Sequence, residues 1–195
     1  MIREIFVNRE PIDGLCGLPR EGRFRHIAAL AGKLCSAMIE RCQTRDVFQI
    51  CKLAGVKLDY RRWPLVTIGE CERRPPTIRV NLAALDYIEG TQIAITRKSF
   101  EQIIIAHELG HLLGTGSDAL ANEAPRSGLK TAVTEPEALA FEEYFAGSFA
   151  AALGDLSCGE HENVRMAAYL CRVKSAQDTS SLSEESIQEN SRGYA

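Results

Sequence analysis

The stretch 99-SFEQIIIAHELGHLLG-114 governs how this chain is read. Ser99, with Gln102 at the third helical position, fits a capping box. Three isoleucines and Ala106 lead in, Leu112 and Leu113 come after, and Gly114 and Gly116 offer a stop. A helix over about 100–113 is expected. Inside it, His107-Glu108-Leu109-Gly110-His111 is an H-E-x-x-H sequence. Residues four apart share one helical face, one turn apart, so both imidazoles can reach a single ion. Glu108 lies one residue on, turned toward the substrate side. There it can take a proton from a water on the metal and pass it to a leaving amine. Two imidazoles and a carboxylate suit Zn²⁺, with the fourth place left for water. The bland alternative is a helix whose His and Glu simply face solvent. The apolar flanks argue against it, because polar groups on a buried helix need partners and a metal supplies one.

A third ligand has to come from another segment. The other two histidines, His26 and His161, lie near the two ends, and the long-spaced HExxHxxGxxH pattern would need a ligand at position 117, which is Ser117. A carboxylate on the next helix is the remaining source. Pro136 opens a segment, EALAFEEYFAGSFAAALG, that reads as a helix over about 136–153. At about 100° per residue, Ala138, Phe141, Phe145, Phe149, Ala152 and Leu153 form an apolar arc. Glu142 falls inside the arc, Glu143 on its far border and Glu137 on the opposite one. A carboxylate on a buried face requires a cation or a metal. Glu142 is therefore the expected third metal ligand beside His107 and His111, with Glu143 the next candidate and Glu137 after it. Tyr144, Tyr169 or an arginine could stabilise an oxyanion, although a packing or surface role suits each of them better.

Upstream of the metal helix the pattern is of two kinds. Ile27, Leu30, Ala31, Leu34, Met38 and Ile39 recur at spacings of three and four, and Cys35 and Cys42 extend the stripe, so helices are expected over about 24–54. The second of these should cover Asp46–Ala54, with Thr44 as a cap and Gly55 as a stop. Between about 56 and 96, short β-branched pieces alternate with Gly, Pro and charge clusters: Val56–Tyr60, Leu65–Ile68, Thr77–Leu82 and Thr91–Thr96. They predict a small mixed or antiparallel sheet. A last short helix is expected over Glu162–Lys174, and the Ser/Glu/Gln-rich 175–195 reads as a flexible tail. The fold class is thus α+β, one metallopeptidase-like domain over 1–174 followed by that tail.

Composition narrows the function classes. The chain has 195 residues and a formal net charge of −3, which argues against a generally basic nucleic-acid or membrane-surface binder. The Arg61-Arg62 and Arg73-Arg74 pairs read as solvated loop charges. The opening MIREIFVNREP mixes charges of both signs and does not resemble a secretory signal. No apolar run approaches the ~18 residues of a membrane span. The seven cysteines form no CxxC pair and read as reduced, core-filling thiols, so a cytoplasmic setting is expected.

The order of these pieces resembles the ImmA/IrrE-type zinc metallopeptidase family, whose ligand arrangement is gluzincin-like. DVFQICKLAGVKLDY resembles that family's entry helix and first strand, TIRVN its I-x-V/I-N strand (IAIT is a second candidate), and IIIAHELGHLLG its zinc helix. EALAFEEYFAGSFAAAL occupies the place of its next helix, E-A-N-x-F-A-x-x-L-L. The likeness spans roughly Thr44 to Leu153. It departs where the family has Ala-Asn after the ligand Glu, since Glu142 is followed here by Glu143-Tyr144. The resemblance implies a cytoplasmic zinc protease of narrow specificity. Its substrate would be a protein such as a DNA-binding transcriptional repressor, without direct nucleic-acid binding by this chain. The alternative is a non-catalytic protein-binding module or toxin–antitoxin component on a metallopeptidase scaffold.

Overall fold

The computed structural model describes residues 20–114, 135–155, 163 and 166–178. It has an α+β architecture: helices packed around one another and against a small three-stranded mixed sheet. The first helix, α1 (Arg20–Cys42), turns the expected stripe inward: Ile27, Ala31, Cys35 and Met38 are buried. Helix α2 (Val47–Ala54) is capped by Asp46 rather than Thr44. The Asp46 Oδ1 accepts hydrogen bonds from Phe48 N at 2.9 Å and Gln49 N at 3.4 Å, while Thr44 Oγ1 accepts from Asp46 N. A carboxylate at the N-cap also meets the positive end of the helix dipole. Gly55 ends α2 at φ 68°, a left-handed conformation that costs glycine nothing.

The strands are β1 (Lys57–Arg61), β2 (Gly69–Arg73) and β3 (Pro76–Asn81), in the order β1-β3-β2. β1 runs parallel to β3 and β2 antiparallel to it. The central strand β3 buries Thr77, Ile78, Val80 and Asn81. Edge strand β2, GECER, escapes a search for β-branched runs because one of its faces is charged and outward. Leu65–Ile68 and Thr91–Thr96 are not strands, and the sheet ends at Asn81 rather than near 96. The chain then enters a helix, α3 (Leu82–Glu89), in a stretch where no helix was expected.

Asn81 explains the first and the last of these differences. Its side chain is fully buried. Oδ1 accepts from Ala83 N at 2.9 Å and so starts α3. Nδ2 donates to Trp63 O at 3.1 Å and Thr67 O at 2.9 Å. Carbonyls of the 63–67 segment that a strand would have paired in a ladder are satisfied by one amide instead.

Helix α4 (Arg97–Leu113) is the metal-motif helix and the centre of the molecule, packing on β2, β3, α2, α3 and the next helix, α5 (Glu135–Gly154). It starts earlier than the Ser99 capping box suggests. Thr96 is the N-cap, and its Oγ1 accepts from Ser99 N at 3.0 Å. Phe100, Ile104, Ile105 and Leu109 are essentially fully buried, each contributing roughly 1.5–3 kcal/mol by area. α5 lies between α4 and α1, with Phe141 edge-on to Phe24 at 5.1 Å. A sixth helical stretch, α6 (166–178), buries Ala167 and Cys171. The expected tail therefore still has helix in its first residues, 175–178, and its remainder lies outside the described residues, as does Gly116. No described helix is long and apolar enough to cross a membrane. Cys35, Cys42, Cys51, Cys71 and Cys171 are free thiols.

Replacing Asn81 by Ala removes a helix cap and strands buried carbonyls. An Asn81→Ala variant is expected to lose about 3 kcal/mol in urea unfolding, from about 1 for the cap and about 1–3 for the orphaned groups. A loss under ~1 kcal/mol would show that water replaces the amide.

Candidate metal centre

The site begins with a steric fact about α4. A Cβ built on Gly110 would stand 2.8 Å from the Cα and 3.2 Å from the carbonyl oxygen of Ala146 on α5. The two helix backbones approach closely there, and the missing side chain of Gly110 permits it. His107 and His111 flank Gly110 on α4, three residues before it and one after. Glu143 lies one turn before Ala146 on α5. The crossing therefore brings these three side chains level with one another.

Their donor atoms form a tight triangle. The two Nε2 atoms, of His107 and His111, are 3.1 Å apart. Glu143 Oε2 lies 3.4 Å from His107 Nε2, and Glu143 Oε1 lies 3.4 Å from His111 Nε2. Tetrahedral ligation at roughly 2.0–2.2 Å sets donor-to-donor edges of roughly 3.3–3.6 Å. The two 3.4 Å edges fall in that range and the 3.1 Å edge lies just below it, and among the described residues His107, His111 and Glu143 form a group that could hold a metal ion. Sequence reasoning places Glu142 here and Glu143 second, whereas the structure brings Glu143 to both Nε2 atoms. Glu142 Oε1 lies on the other side of the His111 ring, 3.7 Å from Nδ1 and 3.5 Å from Arg73 Nη2. The Glu137 side chain lies outside the described residues.

The reason for the exchange is that α5 has two buried directions. Its aromatic face, with Phe141, faces α1, and Ala146 faces α4. An arc drawn through the large residues points midway, at Glu142. The close contact with α4 is made by the small residue Ala146, three residues after Glu143 and four after Glu142, so both carboxylates lie near that side and a helical wheel does not separate them.

Glu108 is 7% exposed, against the start of β2. A Cβ on Gly69 would meet its Oε1 at 2.9 Å and Ile104 Cγ2 at 2.7 Å. Alternate residues of a strand share a face, so Gly69, Cys71 and Arg73 all turn toward α4. Burial pushes the Glu108 carboxyl above its usual range, opposed by the two histidines and by a hydrogen bond with Cys71. Burial likewise pushes the Cys71 thiol up to about 12, and the neighbouring Glu108 adds to it. Burial opposes charge on His111, yet Glu142, Glu143 and Glu108 outweigh it and hold the imidazolium up to about 9. Hydrogen bonding to both histidines holds Glu143 well below the usual carboxylate range. A negative pocket that favours a proton on His111 also favours a dication, which would displace that proton on binding.

Sequence reasoning misses the contribution of β2. Arg73 is not a free loop charge: its Nη2 donates to His111 O at 3.0 Å and reaches Gly114 O at 3.4 Å. Arg61 pairs with Asp59 at 2.8 Å and Arg62 with Asp86. The one signal available in the sequence is the alternation G-E-C-E-R, small and neutral against charged. Tyr144 packs edge-on to Phe24 at 4.9 Å, and Tyr169 is exposed.

No protein-family model, curated protein or solved structure matches this chain, so the chemistry of the site has to be read from its own residues.

The helix crossing can be tested directly. Gly110→Val places a branched side chain against the Ala146 backbone and is expected to destabilise the fold by about 1–3 kcal/mol through overpacking, read as a lowered urea midpoint. Unchanged stability would mean that α4 and α5 do not touch at this point.

Proposed function

We propose that this chain is a zinc-dependent endopeptidase in which His107, His111 and Glu143 hold Zn²⁺ and Glu108 is the general base. The observation that carries the proposal is the 3.1 and 3.4 Å triangle of His107, His111 and Glu143 donors, with a buried, desolvated carboxylate beside it. Zinc bound there supplies Lewis-acid chemistry, acidifying water and polarising a carbonyl. The protein's own contribution is the handling of the proton. Glu108, held against Gly69 and above its usual pKa range, takes a proton from the attacking water and delivers it to the leaving amine. A structural metal site has no need of that residue, so an intact Glu108 favours catalysis over a purely structural metal.

The sheet supports a peptide substrate. β2 is an edge strand, and its residues Gly69 and Cys71 lie against Glu108. An extended chain can add to such an edge through main-chain hydrogen bonds and be laid past the reacting groups. The ImmA/IrrE-type likeness extends this to a regulatory substrate, a cytoplasmic protein such as a transcriptional repressor, with no nucleic acid bound by this chain.

Metal analysis of protein purified without chelator is expected to give one zinc per chain, with cleavage of a mixed-sequence fluorogenic peptide library. Glu108→Gln should keep the zinc and lose cleavage by at least roughly 100-fold. His107→Ala and Glu143→Gln should lose both. Zinc-loaded wild type that cleaves nothing beyond the Glu108→Gln background would replace the peptidase reading with that of a metal-containing binding module.

A further inference from the structure

We propose that Arg73 on strand β2 is a positioning residue for the metal: acting through Glu142, it locks the His111 ring with Nε2 turned to the ion. The inference rests on the metal-centre reading above and adds the group that orients one ligand.

Three contacts converge on one guanidinium nitrogen. Arg73 Nη2 donates to His111 O at 3.0 Å, reaches Gly114 O at 3.4 Å, and lies 3.5 Å from Glu142 Oε1. The two carbonyls sit at the C-terminal end of α4, where the helix dipole leaves negative charge and backbone acceptors without intrahelical partners. Arg73 thereby fixes the last turn of the metal helix to the sheet and, through Glu142, to α5.

The second half is the imidazole itself. His111 presents Nε2 to His107 and Glu143, and Nδ1 to Glu142 Oε1, the oxygen that Arg73 also approaches. The nitrogens have separate tasks. A carboxylate at Nδ1 favours the tautomer with its proton there, leaving the Nε2 lone pair for a metal. The arrangement is sheltered: the Glu142 side chain is 17% and that of His111 14% exposed, against 63% for Glu143. An arginine suits the task better than a lysine, because its planar fork directs several N–H groups in fixed directions.

Zinc affinity, measured by competition with a chromophoric chelator on the full chain, tests this. Arg73→Met and Glu142→Gln are each expected to weaken zinc binding by roughly 10–100-fold, and the double variant by no more than the worse single, since both break one linkage. Arg73→Lys, which keeps the charge and spares the fold, should fall between. In zinc-loaded wild type, ¹⁵N chemical shifts of the His111 ring should report a proton on Nδ1 with Nε2 on the metal, and Glu142→Gln should alter them. Wild-type affinity in Arg73→Met, or additive losses in the double variant, would reduce Arg73 to a helix-end contact. Loss of stoichiometric zinc in Glu142→Gln with retention in Glu143→Gln would make Glu142 a ligand and overturn the assignment. Those outcomes leave the metal centre standing; wild type that takes up no zinc would remove the centre and this inference with it.

Discussion

The close approach of α4 and α5 at Gly110 and Ala146 is the constraint on which the rest depends. Backbones this near leave no room for a side chain at position 110, and they set the vertical register of one helix against the other. His107 and His111 are carried on one side of the contact and Glu143 on the other. The three donors meet because two rigid helices cross at one point, not because a loop happens to fold over them. Sites built this way hold their geometry better than sites on loops.

Burial then gives three neighbouring carboxylates different settings. Glu108, shielded by β2, is desolvated, and its carboxyl is held above the usual range. Glu143 sits at the exposed rim, where it can stay charged and face an ion. Glu142 is sheltered but lies near Arg73 and His111, so its charge is balanced within the protein. The small sheet, a minor part of the fold by size, reaches all of this through one face of β2: Gly69 and Cys71 at Glu108, Arg73 at the end of α4.

Much of the scaffold is legible in the sequence. The α1 stripe, the α2 stop at Gly55, β1, β3 and the body of α4 all announce themselves through periodicity or a turn residue with a physical reason to be there. The misses share a cause. β2 is hidden because an edge strand has one wet face, and its charged residues mask the alternation. Leu65–Ile68 carries apolar residues without forming a strand, since Asn81 satisfies carbonyls along that segment. The same Asn81 opens α3, and a cap that doubles as the last residue of a strand has no separate signature. Thr96 and Ser99 are both competent N-caps by type, and only the backbone path selects Thr96.

The candidate site divides along a similar line. Local periodicity alone determined that His107 and His111 share a face with Glu108 beside them, because helix geometry spans only a few residues and needs no partner. It also pointed to a carboxylate on the next helix as the third member of the group. Which carboxylate reaches both Nε2 atoms was decided by the tertiary structure. A helical wheel reports one mean buried direction, but α5 is buried on two sides, against the large side chains of α1 and the bare backbone of α4. The choice between Glu142 and Glu143 depends on the angle between those two neighbours, and that angle exists only once the helices are packed.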